Sequence, residues 1–506
     1  MAKTKSLSTL DMAFFVLEND QRMSNVGPLV ILKPPPGTRS AVKYADRLLA
    51  AMLKRPVGAP FNLRYVPPGL SGMPHLAEDP AMDLDKHCER LSVPAPGTDQ
   101  QLFDMVCRLH EQRLPRSRPT WAMYVIDGLQ DGRIALYAKV NHGLVDGRGF
   151  VELFTRWFST DPADRQVRAL WEGLEGPKSK KKEDAAPRLD VAALTATAGR
   201  AAKSMSSLYS ALGRQTLASL GLGAGFPLPF FGTPSVLVAK PSLTRCFSYC
   251  VLPLAEVKTF SKVHEVSVND VLLTVLDMAL NRYLTDEGVT QARKPLVADM
   301  PVALGNPGGG GGNAIAVLQI AMGDTNAEPL ERLAQVRKHS QELKDYVKQT
   351  DRDALVTYTT AVHTLPAVFE MVGVERQPML ANLMISNPFG LPERRYLAGA
   401  ELEMALPVAV LAPGQTLNIT AATYDTGLQI AFLALEAVIP DVQRLADYTV
   451  DAFQELLQAD QVRETPPSAK AKRAAPRATK AQANSLPKSQ PDTKVNSRAK
   501  AKKAVA

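Results

Sequence analysis

Residues 139–150 read KVNHGLVDGRGF and hold the side chains best suited to chemistry. A neutral imidazole at His142 can take a proton from a hydroxyl or a thiol, because histidine titrates near neutral pH. Asp146 follows four residues later, and Gly143 and Gly147 permit tight backbone geometry around the histidine. The spacing leaves open whether Asp146 touches His142. Asn141, directly before the histidine, donates and accepts hydrogen bonds but cannot titrate. By itself the segment has two readings, a general base or a hydrogen-bonded structural histidine at a strand end.

The surrounding elements decide how such a side chain would be presented. RIALYAKV, just before it, alternates as a strand, so His142 falls at the strand's end, and GFVELFTRWF supplies an apolar helical stripe just after it. Upstream, LDMAFFVLEND and SAVKYADRLLAAML have helical spacing, and VGPLVIL reads as a strand. A further helix opens after a Pro/Gly turn, with Thr98 or Asp99 as its cap. Downstream, RCFSYCVLPL and AEVKTFSKV predict a strand and a helix, and a long helix begins near Ser267–Asp270. KPLVADMPVAL and GNAIAVLQIAM predict strands flanking Gly308–Gly312. Then come a helix over Glu328–Lys348, another helix, four strands (NLMISNPFG, ELEMALPVAVL, LNITAATYD, LQIAFLAL) and a closing helix over Asp441–Gln458.

At 506 residues the chain exceeds one ordinary core. The composition breaks divide it into an N-terminal domain (1–170), a linker and apolar connection (171–233), a second domain (234–460) and a tail (461–506). Mixed helices and strands in both blocks predict a two-domain α/β protein. The tail carries twelve Lys/Arg against Glu464 and Asp492, which exceeds the whole net charge of +8 and leaves the body close to neutral. A nucleic-acid-binding core is therefore not expected. The tail is predicted to be disordered, serving either as an electrostatic tether to anionic surfaces or as a solvated extension. Leu189–Leu220 is amphipathic with a mildly basic face, suited to a membrane surface or to packing on the protein. The uncharged stretch between Arg214 and Lys240 is interrupted by Pro227, Pro229 and Pro234, so it cannot form a spanning helix. It reads as an interdomain connection or as an apolar loop meeting lipid.

Other chemistries find little support. Cys88, Cys107, Cys246 and Cys250 read as reduced intracellular thiols. His75, His87, His110, His264, His339 and His363 lack metal-ligand spacing, so no metal is expected. GNPGGGGGN lacks the Lys-Ser/Thr of a phosphate loop, and no GxSxG nucleophile elbow occurs.

Taken with its neighbours, RPTWAMYVIDGLQDGRIALYAKVNHGLVDG resembles the bacterial wax ester synthase/diacylglycerol acyltransferase family. That family belongs to the HHxxxDG acyltransferase superfamily, with chloramphenicol acetyltransferase and peptide-synthetase condensation domains. LSTLDMAFFVLEND, SVNDVLLTVLDMALNRYL, KPLVADMPVAL with GGGGGNAI, ISNPFGLPERRYLAGAEL and LNITAATYDTGLQIAF are similar to further family segments, in the same order, over roughly residues 6–458. Two departures stand out: Asn141 replaces the first motif histidine, and Pro119-Thr120-Trp121 stands for Pro-Leu-Trp.

The resemblance implies two chloramphenicol-acetyltransferase-like domains around a central channel. It implies acyl transfer from acyl-CoA, a substrate rather than a cofactor, to diacylglycerol or a long-chain alcohol, with His142 as base and no acyl-enzyme. Asn141, Asp146, Gly147, Asn269 and Asp270 would support the motif, and Trp121, Asn313, Ser386 and Asn387 would line the channel. The expected location is cytoplasmic, peripheral to the inner membrane or to lipid inclusions. Asn141 also admits a weakly active or non-catalytic acyl-CoA-binding or lipid-binding paralogue, and another acceptor remains open.

Overall fold

The computed structural model describes residues 4–69, 73–145, 147–174, 236–239, 242, 244–289, 295–304, 315–371 and 380–464. Asp146, the glycine run with Asn313, the 189–220 stretch, most of the apolar connection and the basic tail lie outside these.

The N-terminal block contains β1 (Thr4–Ser6), α1 (Thr9–Val16), β2 (Asn25–Lys33), α2 (Ala41–Met52), β3 (Leu63–Val66), β4 (His75–Glu78) and β5 (Cys88–Ser92). It continues with α3 (Asp99–Glu111), β6 (Trp121–Asp127), β7 (Ile134–Asn141) and α4 (Gly147–Trp157). The second block holds β8 (Arg245–Pro253), α5 (Leu254–Val263), α6 (Val268–Asp286), β9 (Val297–Ala303), β10 (Ile315–Ala321), α7 (Pro329–Gln349) and α8 (Arg352–Met371). After these come β11 (Leu383–Leu391), β12 (Tyr396–Leu397), β13 (Ala400–Val408), β14 (Leu417–Tyr424), β15 (Gly427–Leu435) and α9 (Val442–Glu464).

Two six-stranded sheets carry the architecture. One runs β12-β13-β2-β7-β6-β5 and the other β10-β9-β11-β14-β15-β8, beside a small β1-β4-β3 sheet. The second block therefore does not keep its strands to itself. β13 leaves it to pair antiparallel with β2, from Glu401 opposite Lys33 to Val408 opposite Gly27. Leu29–Leu32 of β2 are wholly buried, so this strand needs a neighbour on both edges, and β13 supplies the second. The two sheets also share one apolar cluster, in which Leu29 and Ile31 of β2, Phe103 and Val106 of α3, Phe247 of β8 and Leu433 of β15 come together. All of this lies within Met1–Gln461, one compact unit. Burying 1,000 Å² of such surface contributes roughly 25 kcal/mol before chain entropy is subtracted, so a shared cluster welds the blocks far more firmly than polar contacts would.

Local chemistry explains the helix starts. The side chain of Thr98 accepts from Gln101 N while Gln101 reaches back to the Thr98 amide, a capping box that opens α3. Ser267 and Asp270 form the same reciprocal pair at the start of α6. Ser8 caps α1 by accepting from Asp11 N at 3.1 Å.

Candidate active site

His142 sits one residue beyond β7, half-buried, in the turn before α4. Its backbone N–H donates to the Ser24 carbonyl at 2.7 Å. Its ring lies on that of Phe14 in α1, with centroids 4.1 Å apart and planes 8° from parallel. Gly143 lets α1 come this close. A Cβ there would lie 2.5 Å from the Asp11 carbonyl oxygen and 2.6 Å from the Phe15 ring, closer than any side chain tolerates.

Asn141 is buried, at 1% exposure, and its hydrogen-bonding groups are engaged. Its Oδ1 accepts from Gly143 N at 3.0 Å, an Asx-turn that shapes the loop. Its Nδ2 donates to Glu18 Oε1 at 3.4 Å. Its backbone N–H donates to Thr120 O, and its carbonyl accepts from Leu144 N, both at 2.9 Å. Behind it, on the same face of β7, Lys139 donates to the carbonyls of Leu109, at 2.5 Å, and Gln112, where α3 ends. Burial pushes the Lys139 ammonium down to about 7, against the opposing pull of Glu18. The carbonyls at a helix C-terminus are a natural partner for that cation.

On the other block, Asn269 lies in the first turn of α6, and Asn387 Nδ2 donates to its Oδ1 at 3.5 Å. Ser386 bonds Thr420 Oγ1 at 2.9 Å, and Thr420 donates to Asn418 Oδ1 at 2.9 Å. The Thr420 proton is thereby spent on Asn418, so Ser386 is the donor in the first bond and its oxygen keeps capacity only to accept. β11 bulges between Ser386 and Phe389, one residue longer there than β14 opposite. Pro388, which lacks an N–H, falls in that bulge. Asp270 is 3% exposed, and its Oδ1 has no hydrogen-bond partner among the described residues. Helix α4, which follows His142, touches β11, and α1, under His142, touches α8.

The structure thus places Asn141 and His142 at one strand end and Asn269 and Asp270 at one helix start, with Asn387 bonded to Asn269 and the neighbouring Ser386 bonded to Thr420. Gly147 opens α4, while Asp146 and Asn313 lie outside the described residues. Trp121 is corrected from channel lining to core. It is 2% exposed, its indole N–H donates to Phe61 O at 2.8 Å, and it stacks on His87 and Trp171. Sequence reasoning missed Phe14, Ser24 and Glu18. A lone acid ending the apolar run MAFFVLE was the available signal for the last.

Burial pushes the Cys88 and Cys246 thiols up to about 12, and Cys107 and Cys250 higher still, which disfavours their thiolate forms. Among the described residues no group of three His, Cys, Asp or Glu could hold a metal, and no helix is long and apolar enough to cross a membrane.

Comparison with known proteins decides the family. Residues 7–272 match the wax ester synthase/diacylglycerol acyltransferase catalytic domain, and residues 311–457 match the C-terminal domain of the same family. The chain belongs to this family. As a member, it is an acyltransferase. The Mycobacterium tuberculosis protein Tgs4, named a probable diacylglycerol O-acyltransferase, is 32% identical over 470 residues, covering 89% of this chain and 96% of that one. The O-acyltransferase WSD of Acinetobacter baylyi is 26% identical over 463 residues, covering 89% and 96%. The solved wax ester synthase/diacylglycerol acyltransferase of Marinobacter aquaeolei VT8 superposes with a TM-score of 0.67 at 26% identity, covering 90% of this chain and 99% of that one. The first condensation domain of the CDA synthetase, at 14% identity and a TM-score of 0.51, covers 90% and 96% and shares the fold. The two chloramphenicol-acetyltransferase-like domains implied by the resemblance are thus the family's architecture.

Proposed function

We propose that this acyltransferase moves a fatty acyl group from acyl-CoA to a diacylglycerol or a long-chain alcohol, with His142 as general base. The observation that carries the reading is the placement of His142: a half-buried imidazole at a strand end, on a turn anchored by Asn141 and Ser24. This is also where the family's motif places its second histidine. The acceptor hydroxyl gives its proton to the imidazole as its oxygen bonds to the thioester carbonyl carbon. The C–S bond then breaks, and the imidazolium returns the proton to the departing thiolate, yielding an ester and free CoA. Both substrates must be bound together, and a channel between the two sheets is proposed to admit them from separate sides. Asn269 and Asn387 are proposed to donate hydrogen bonds to the carbonyl oxygen as it gains charge, at a helix N-terminus whose dipole favours anions.

The Asn141 side chain bonds Gly143 N and Glu18 and so helps to shape the turn that holds His142, which supports an active enzyme over a retired one. Attachment to a membrane or lipid-inclusion surface through the basic tail belongs to the same reading, since both product classes are apolar and the tail is cationic. The test supplies labelled palmitoyl-CoA with hexadecanol or with dioleoylglycerol. Wax ester or triacylglycerol should form with the wild type and be lost in His142→Ala. No ester from the wild type removes the reading, and undiminished ester from His142→Ala removes the base.

A further inference from the structure

Glu18 is a buried carboxylate that the reaction above does not use. It lies between α1 and β2 at 6% exposure. Its Oε1 accepts from Ser24 N at 3.2 Å and from Asn141 Nδ2 at 3.4 Å. Its Oε2 faces Arg116 at 3.3 Å and Arg113 at 3.6 Å. Ser24 O in turn accepts from the His142 N–H at 2.7 Å, and Asn141 Oδ1 accepts from Gly143 N at 3.0 Å. The backbone on both sides of the imidazole is therefore tied to a single carboxylate oxygen, and two guanidinium groups hold that carboxylate from outside.

We propose that Glu18 is a positioning residue for acyl transfer, setting the orientation of His142 through Ser24 on one side and Asn141 on the other. The proposal rests on His142 being the base. It also gives the asparagine a purpose. An amide donates to Glu18 and accepts from Gly143 at the same time, and it does so at every pH. An imidazole in that place would do both only while neutral, and protonation would remove its acceptor. The turn that carries Glu18 is closed by its own bonds: Asn19 N–H to Arg22 O at 3.1 Å, Arg22 N–H to Asn19 O at 3.2 Å, and Gln21 N–H to Asn19 Oδ1 at 3.0 Å. Removing the carboxylate therefore frees the His142 side of the network without opening the turn.

The test uses the full chain with labelled palmitoyl-CoA and dioleoylglycerol, and compares Glu18→Ala, Glu18→Gln, Asn141→Ala, Asn141→Asp and the double variant Glu18→Ala/Asn141→Ala. Misplacing a base lowers turnover on the order of 10- to 100-fold, so Glu18→Ala and Asn141→Ala should each lose kcat on that scale while KM for palmitoyl-CoA stays put. The double variant should lose less than the product of the two single losses, because both substitutions remove the shared Glu18–Asn141 bond. Glu18→Gln keeps an oxygen to accept both bonds and should stay within about threefold of wild type. Asn141→Asp sets two carboxylates against each other and should fall as far as Glu18→Ala. A wild-type kcat in Glu18→Ala, or a double variant whose loss is the product of the single losses, overturns the proposal. If thermal melting shows that Glu18→Ala does not fold, the contrast between Glu18→Gln and Asn141→Asp carries the same test, and equal activity in those two overturns it. His142→Ala in parallel separates the two readings. Full activity there removes the base itself, whereas its loss beside an unaffected Glu18→Ala removes only the positioning role.

Discussion

The imidazole of His142 rests flat on the ring of Phe14, 4.1 Å between centroids, so the proposed base is supported by a side chain from the first helix of the chain. Stacked rings of this kind contribute about 0.5–1.5 kcal/mol beyond the area they bury. Phe14→Leu keeps the apolar bulk and removes the flat face. It should lower kcat by roughly two- to tenfold with KM little changed, since that energy holds an orientation. Steady-state turnover on palmitoyl-CoA checks this, and an unchanged kcat refutes it.

Gly143→Ala tests the same contact from the other side. The added Cβ would meet the Asp11 carbonyl at 2.5 Å and the Phe15 ring at 2.6 Å. Backbone cannot yield as a flexible side chain can, so α1 must move off the His142 turn. Overpacking of this kind costs about 1–3 kcal/mol. The melting temperature should fall together with turnover, and a variant as stable and active as wild type would show that α1 does not seat there.

Asp277 and Arg332 form a buried pair at 2.6 Å that ties α6 to α7. Burial pushes the Asp277 carboxyl up to about 6, although Arg332 pulls it down. Asp277→Ala strands the guanidinium and should cost about 3–5 kcal/mol of stability. Asp277→Leu with Arg332→Met should recover most of that loss. Denaturant unfolding of the single and double variants decides, and a double variant as unstable as the single would refute the pairing argument.

His363 in α8 faces the buried Asp299, 3.6 Å from Nε2 to the carboxylate, and its Nδ1–H donates to Thr359 O at 2.8 Å. Burial opposes its charge, but Asp299 and the Thr359 carbonyl outweigh that and raise its pKa above the ordinary 6.5. A histidine raised on folding stabilises fully below its unfolded value, and that contribution is lost as pH climbs through the folded one. Unfolding free energy should therefore decline from about pH 6.5 upward, more steeply than in His363→Gln. Parallel slopes for the two proteins across that window would refute the pair. Gln319 and Gln415 donate to the same carboxylate, at 2.7 and 2.6 Å, so Asp299 itself stays satisfied in the variant.

Local order was largely legible. The strand ending at Asn141, the helix after it and the Ser267–Asp270 start of α6 follow from periodicity and capping, which act over a few residues. The last helix, expected over 441–458, runs on to Glu464 and stops just before Pro466-Pro467, since the residue preceding a proline is disfavoured in helical backbone. What stayed hidden was long-range. ELEMALPVAVL reads as a strand anywhere, and nothing in its alternation says that its partner is β2, some 370 residues earlier. Glu18 was hidden for the same reason: its partners, Ser24, Arg113, Arg116 and Asn141, are brought together only by the fold.

The journey of β13 into the first sheet also has a consequence during synthesis. A ribosome releasing this chain exposes β2, with Leu29–Leu32 fully apolar, long before residues 400–408 leave the exit tunnel. Until then the nascent N-terminal half carries a bare strand edge of the kind that recruits foreign strands. The two halves should not survive as separately expressed pieces, and a translational stall before Ala400 would leave an aggregation-prone fragment for the chaperones. Completion of the first sheet waits for nearly the last part of the message.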